Sequence, residues 1–123
     1  MRVRYVQARY AETVRVGEVV SIHGVRPYDA LGHVPATCFA DQARRALRNL
    51  ETVLDVFGAD LGCVKMLSVH LAELQDGERL SAIWSDLSPE PLPVTITTGV
   101  VRANDGAAIE LQATAATPCY SSC

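Results

Sequence analysis

"DQARRALRNLETVLDVFGADLGCVKM", running from Asp41 to Met66, carries the clearest periodicity in the chain. Ala43, Ala46, Leu47, Leu50, Val53, Leu54 and Phe57 recur at three- and four-residue spacing, which places them on one face of a helix. Thr37 is the expected N-cap, with Asp41 close to the positive end of the helix dipole. Gly58 follows the last apolar position and supplies a stop. A short turn, "ADLGC", then leads into a strand, "VKMLSVHL". The arginines Arg44, Arg45 and Arg48 fall off the apolar stripe and read as a solvated helix face.

Working outward, "AETVRV" and "EVVSIHG" alternate apolar and polar residues on either side of Gly17, the pattern of a hairpin. A loop rich in turn formers, "RPYDALGHVPAT", connects them to the helix. Downstream, Leu80, Ile83, Trp84 and Leu87 share one face of a second helix, expected from about Glu78 to Leu87. Pro89, Pro91 and Pro93 prevent its continuation. Two more strands follow, "VTITTGVV" and "AAIELQATA", with Asn104, Asp105 and Gly106 read as a hairpin turn joining them.

The resulting order, β-β-α-β-α-β-β, predicts a single α+β domain over residues 1–123, with a mostly antiparallel sheet and both helices on one face. Successive strand residues point to opposite faces. Parity therefore predicts an aliphatic face with Val20, Ile22, Ile96, Ile109 and Leu111. The opposite face is expected to carry Ser21, His23, Thr95, Thr97, Glu110 and Gln112.

Composition narrows the function. The 123 residues are 49% hydrophobic and 20% charged, with net charge −3 and Lys65 as the sole lysine. This is the balance of a folded globular chain, and it gives no basic stripe for nucleic acid. No apolar run approaches the ~20 residues of a membrane span. The start, "MRVRYVQARY", lacks the apolar centre of a secretory signal, so a cytoplasmic location is expected. Cys38, Cys63, Cys119 and Cys123 are then expected as free thiols, and the tail from about 117 as frayed.

The ordered combination of these segments resembles the RidA/YjgF family, whose best-known members are enamine/imine deaminases. The resemblance runs from about Tyr10 to Ala116. "RYAETVRVGEVVSIHG" is similar to the family's opening hairpin, with Tyr10 and Gly24 in place. Within the helical segment, Gln42, Leu47, Asn49, Leu50, Gly58 and Lys65 stand where the family has such residues. "GAAIELQA" resembles its closing strand, with Glu110 at an acidic position. The resemblance implies a chorismate-mutase-like fold and a homotrimer whose polar sheet faces form a central barrel, with pockets at subunit boundaries.

It also exposes departures. Family deaminases bind the substrate carboxylate through an arginine two residues after a proline. Here Pro93 is followed at that distance by Thr95, and Thr97 stands where a cysteine is common. Ser81 occupies the place of a pocket asparagine, and His23 that of a strand serine. A threonine offers one hydroxyl and no charge in place of a bidentate guanidinium, so the usual 2-imino acids are not the expected substrate.

The candidate catalytic residues are Glu110, as acid, base or water-holding group, and His23, as a general acid or base. Tyr10, Gly24, Arg26, Ser81, Thr95 and Thr97 are the candidate substrate contacts, with Arg26 placed to restore a positive charge. The plainer alternatives are structural: an interface carboxylate, a hydrogen-bonded strand histidine, a surface arginine. His23, His33 and His70 show no metal-ligand spacing, and no phosphate-binding glycine loop is present, so neither metal nor cofactor is expected. The expected function is a small-molecule enzyme acting on an imine, enamine or related intermediate of specialised metabolism. The alternative is a non-catalytic metabolite-binding or regulatory trimer; an RNA-directed activity is disfavoured by the acidic charge balance.

Overall fold

The structure, a computed structural model, describes residues 3–8, 11–99 and 105–119. The elements are β1 (Val3–Ala8), β2 (Ala11–Val16), β3 (Val19–Val25), α1 (Phe39–Asp55), β4 (Val64–Leu71), α2 (Gly77–Leu87), β5 (Val94–Gly99) and β6 (Ile109–Ala116). The α+β class and the predicted series of elements are present, and β1 adds a strand in front of them. Among the described residues, no helix is long and apolar enough to cross a membrane.

The strands form one sheet in the order β1-β2-β3-β6-β4-β5. The β2–β3 hairpin turns at Gly17, whose φ of 59° lies in the left-handed region that glycine adopts without steric cost. Four pairings are antiparallel; β4 and β5 are parallel. That parallel pair overturns the expected hairpin between the last two strands. α2 carries the chain from the end of β4 back to the start of β5, as a parallel pair requires. β6 then enters on the other side of β4, so β4 separates the two strands expected to be neighbours. Asp105 and Gly106 lie in the connection; Asn104 is outside the described residues.

The core lies between the sheet and the helices. Ile22, Leu67, Leu71, Ile109 and Leu111 come up from the sheet, and Leu47, Leu50, Leu54, Leu80 and Trp84 come down from the helices; all are at most 1% exposed. Trp84 keeps its polar end satisfied by donating Nε1–H to the Glu90 carbonyl at 3.0 Å. α1 begins one residue later than a Thr37 cap would set it. Cys38 is its N-cap without a side-chain cap bond, and the Thr37 hydroxyl donates to Asp41 instead, at 2.8 Å. Gly58 ends the helix region at φ 69°, as expected.

The strand parity is confirmed for β3 and β6 and reversed for β5. The register aligns Thr95 with Leu67 and Thr97 with Val69, both on the core face. Ile96 aligns with Ser68, which is paired in turn with Gln112 on the open face. β5 is an edge strand, so neither of its faces is sealed by the core, and hydrophobic burial does not dictate its parity. Thr97 looks toward the start of α2, where a methyl added at Gly77 would lie 3.5 Å from its Cγ2.

The cysteines also depart from expectation. Cys63 and Cys119 are joined in a disulfide, with Cα atoms 5.5 Å apart, and Cys38 is free. Antiparallel pairing of β4 and β6 sets Val64 opposite Ala115, which carries position 119 alongside position 63. The tail is therefore anchored as far as Cys119; Cys123 lies outside the described residues.

Two buried amides on α1 fix the loops. Gln42 Oε1 accepts from Ala108 N at 2.7 Å, and its Nε2 donates to the Gly106 carbonyl at 3.4 Å. Asn49 Nδ2 donates to the carbonyls of Arg26 and Tyr28, both at 2.9 Å. Gln42 and Asn49 are two helical turns apart, on the same buried face. Replacing Asn49 by Ala removes the side-chain donor to the Tyr28 carbonyl and one of the two donors to the Arg26 carbonyl, which keeps the Tyr28 amide at 2.8 Å. The expected cost is about 2 kcal/mol, read as a lowered urea midpoint at unchanged slope. Asn49→Asp is expected to be worse than Asn49→Ala, because it sets a carboxylate against the same two carbonyls.

Candidate functional site

Between Ile22 and Val25, β3 advances three residues while β6 advances two, from Ala113 to Leu111. The extra residue makes a bulge at His23 and Gly24. Gly24 has φ 73°, a conformation that side-chain-bearing residues adopt only under strain. The bulge brings β3 backbone against the acidic residue of β6: a methyl at Gly24 would sit 3.7 Å from Glu110 Oε1. It also delivers Arg26, just past the strand, to Glu110, with Nε and Oε1 3.7 Å apart.

Arg26 is held from a second side. Its Nη1 donates to Asp105 Oδ2 at 3.1 Å, and the Tyr28 hydroxyl donates to the same oxygen at 3.1 Å. The other Asp105 oxygen accepts from Ala107 N, also at 3.1 Å. Partial burial opposes the charge on Arg26, but Glu110, Tyr28 and Asp105 outweigh it and raise the guanidinium pKa. Asp105 shows the complementary balance. Burial pushes its pKa up, yet the Ala107 amide, Tyr28 and Arg26 together hold it below the ordinary carboxylate range.

The sheet adds a further neighbour. On β4, His70 is paired directly with Glu110, and on β5 Thr98 is paired with His70. Glu110, His70 and Thr98 thus form a row across three strands on the open face, with Arg26 just past the end of β3 beside Glu110. Cross-strand partners at such positions have Cβ atoms about 5 Å apart.

The sequence-predicted residues divide accordingly. Glu110, Gly24 and Arg26 come together. His23 is on the same face but is turned along its own strand, with Nε2 2.7 Å from Ser21 Oγ and Glu12 opposite it on β2. Ser81 is exposed on α2. Thr95 donates its hydroxyl to the Pro93 carbonyl at 2.7 Å, and Thr97 faces α2; neither belongs to the Glu110 cluster within one chain. Tyr10 lies outside the described residues.

Sequence reasoning missed Tyr28, Asp105 and His70. Asp105 was read as turn chemistry, and nothing in the chain order links positions 28 and 105. His70 was legible in principle, since it shares parity with Ser68 and Met66, but its register against Glu110 is a tertiary fact.

The cluster sets a guanidinium beside a carboxylate, groups chemically able to hold an anion and to accept a proton from water. Among the described residues the only grouping of metal-type ligands is Asp60, Cys63 and Cys119, far from this chemistry in sequence, with its sulfurs already joined.

Similarity to known proteins follows the same outline. A sequence model of the family described as endoribonuclease L-PSP matches residues 2–117. A RutC family protein of Pyrococcus abyssi is 26% identical over 107 residues, covering 86% of this chain and 84% of that protein. The chloroplastic Reactive Intermediate Deaminase A of Arabidopsis thaliana is 28% identical over 109 residues, covering 84% of this chain and 56% of its own length. Among solved structures, a Thermotoga maritima protein described as a putative endoribonuclease superposes with TM-score 0.83 at 22% identity, covering 97% of this chain and all of its own. The Escherichia coli YjgF gene product gives 0.78 at 24% identity, with 91% of each chain covered. These structures establish the fold.

The Asp105 bonds carry a pH signature. Its carboxyl is depressed on folding, so its contribution to stability is full above the ordinary carboxylate value of about 4 and is lost as pH falls through the lower folded value. Asp105→Asn is expected to lower stability by about 1 kcal/mol at pH 7. Urea midpoints measured from pH 7 downward should show the gap to the parent protein closing in the acid range. A gap that is independent of pH would mean that the charge on Asp105 contributes nothing.

Proposed function

The chain belongs to the RidA/YjgF family, described as endoribonuclease L-PSP, and on that premise we propose that it is an enzyme for a small imine or enamine of specialised metabolism. The chemistry is water addition or proton transfer, in a pocket completed at the boundary between subunits of a homotrimer. The observation that carries this reading is the pairing of the Glu110 carboxylate with the Arg26 guanidinium, 3.7 Å apart beside the Gly24 bulge. A base and an anion anchor are set side by side, each about a third exposed and accessible to a ligand.

In the hydrolytic version Glu110 takes a proton from water as its oxygen adds to the imine carbon. The nitrogen collects protons as it becomes an amine, the C–N bond breaks, and ammonia leaves as the carbonyl forms. Arg26, kept protonated by its carboxylate neighbours, holds an anionic group of the substrate and takes over the role that Thr95 cannot fill. His70, paired with Glu110, is placed to relay the proton; His23, bonded to Ser21, supports the same face.

The open face favours assembly. Met66, Val94 and Ile96 are 45%, 69% and 55% exposed and fall on adjoining rows of the sheet. Apolar residues grouped on a bare sheet face are the mark of a covered surface. The reversal of β5 fits the same picture, since it turns Ile96 rather than a threonine toward the partner. An RNA-directed activity gains no support from a chain of net charge −3.

The test is turnover on imines generated in situ from a panel of amino acids and amines, with ammonia release as the readout. Glu110→Gln is expected to lower kcat by about 100-fold or more with the trimer intact by light scattering. Arg26→Gln should act mainly on KM for anionic substrates, and His23→Ala should give a smaller loss than Glu110→Gln. Activity on 2-aminoacrylate is expected to be low. Undiminished turnover by Glu110→Gln would remove the carboxylate from the mechanism, and binding without turnover across the panel would favour the non-catalytic, metabolite-binding trimer.

A further inference from the structure

The outer side of α1 carries a second feature, independent of the Glu110 cluster. Arg44, Arg45 and Arg48 line a hollow of about 410 Å³ whose opposite wall is the loop around Pro35 and Thr37. In a chain with an acidic balance, three of the eleven Lys and Arg residues occupy five consecutive positions. The spacing works against the helix: Arg44 and Arg48 are four residues apart, where like charges are destabilising by a few tenths of a kcal/mol.

Local acids do not consume this charge. Arg44 meets Asp86 at 3.4 Å and Arg48 meets Glu51 at 3.2 Å. Both are surface pairs, with the arginine side chains 47% and 65% exposed, and such pairs contribute little and exchange readily. Arg45 is exposed and makes no hydrogen bond or ion pair among the described residues; it bears on Asp29 only through its field. Asp41 is the one acid in the lining, set against three arginines, and its Oδ2 accepts from the Thr37 hydroxyl. The floor is buried Gln42, whose Oε1 accepts from the Ala108 amide and whose Nε2 donates to the Gly106 carbonyl. The hollow is thus concave, fixed at its base and cationic on one wall. Its volume falls within the ~300–1,000 Å³ of small-ligand sites.

We propose that this hollow is a binding site for a small polyanion bearing a phosphoryl or pyrophosphoryl group, gripped by Arg44, Arg45 and Arg48. Planar guanidinium forks match phosphate oxygens bidentately, and three of them lining one hollow favour a multiply charged group over chloride or a lone carboxylate. A nucleic-acid strand is the poorer fit. It needs a basic track that continues beyond the hollow, and here the neighbouring hollow passes Pro35 and Thr37 to reach Asp105, an acidic end.

The probe is inorganic pyrophosphate, titrated calorimetrically into the intact protein at about 50 mM salt, where surface electrostatics are only partly screened. Saturable binding with one site per chain is expected, weakened about tenfold by Arg45→Gln and lost in the Arg44→Gln/Arg48→Gln double variant. Circular dichroism checks that the variants remain folded, and Glu110→Gln should bind pyrophosphate as the parent does, which separates this site from the proposed catalytic cluster. The proposal is overturned by no saturable heat at millimolar pyrophosphate, or by equal affinity in parent and arginine variants. Tighter binding of a single-stranded RNA oligonucleotide through the same arginines would also overturn it, in favour of a nucleic-acid surface.

Discussion

Two buried side-chain amides on one helix hold the arrangement together. Gln42 and Asn49 occupy positions on the α1 stripe where an aliphatic residue would pack as well, and each is used to satisfy backbone that the core would otherwise strand. Gln42 secures the start of β6 and so places Asp105 and Glu110. Asn49 secures the segment after β3 and so places Arg26 and Tyr28. The Arg26 cluster exists because one rigid rod grips both loops. Loss of either amide releases one half of the cluster relative to the other.

The sheet divides its labour by face. The covered face is sealed by α1 and α2 and is aliphatic in β3, β4 and β6. The open face carries a row of ionisable groups at one end and apolar Met66, Val94 and Ile96 toward the other. The β5 register is informative here. Thr95 spends its hydroxyl on the Pro93 carbonyl. The positive charge beside Glu110 comes from β3's far end, from a residue delivered by a glycine bulge.

Charge is concentrated in two places that differ in kind. Arg26 is held in a fixed position by Asp105 and Glu110, with Tyr28 on the same Asp105 oxygen, and is still about a third exposed. The α1 arginines are loosely paired or unpaired on a surface hollow, where charge is available to a ligand. Gln42 lies beneath both regions, between the arginine-lined hollow and the loop that carries Asp105.

Much of the fold was legible along the chain. The α1 stripe, the Gly17 hairpin, the proline stop after α2 and the parity of β3 and β6 are local patterns, set by backbone geometry and by burial on one face. Glu110, Gly24 and Arg26 could be named because β3 and β6 are central strands whose parity the core enforces. What the sequence left open was settled only by tertiary contact. The order of β4, β5 and β6 depends on a crossover, not on the turn residues that suggested a hairpin. The facing of Thr95 and Thr97 depends on the register of an edge strand, which burial does not constrain. The Cys63–Cys119 pair and the meeting of Arg26, Tyr28 and Asp105 join positions more than fifty residues apart. Local sequence specifies which face a residue takes on a sealed strand; pairing between distant segments decides which residues meet.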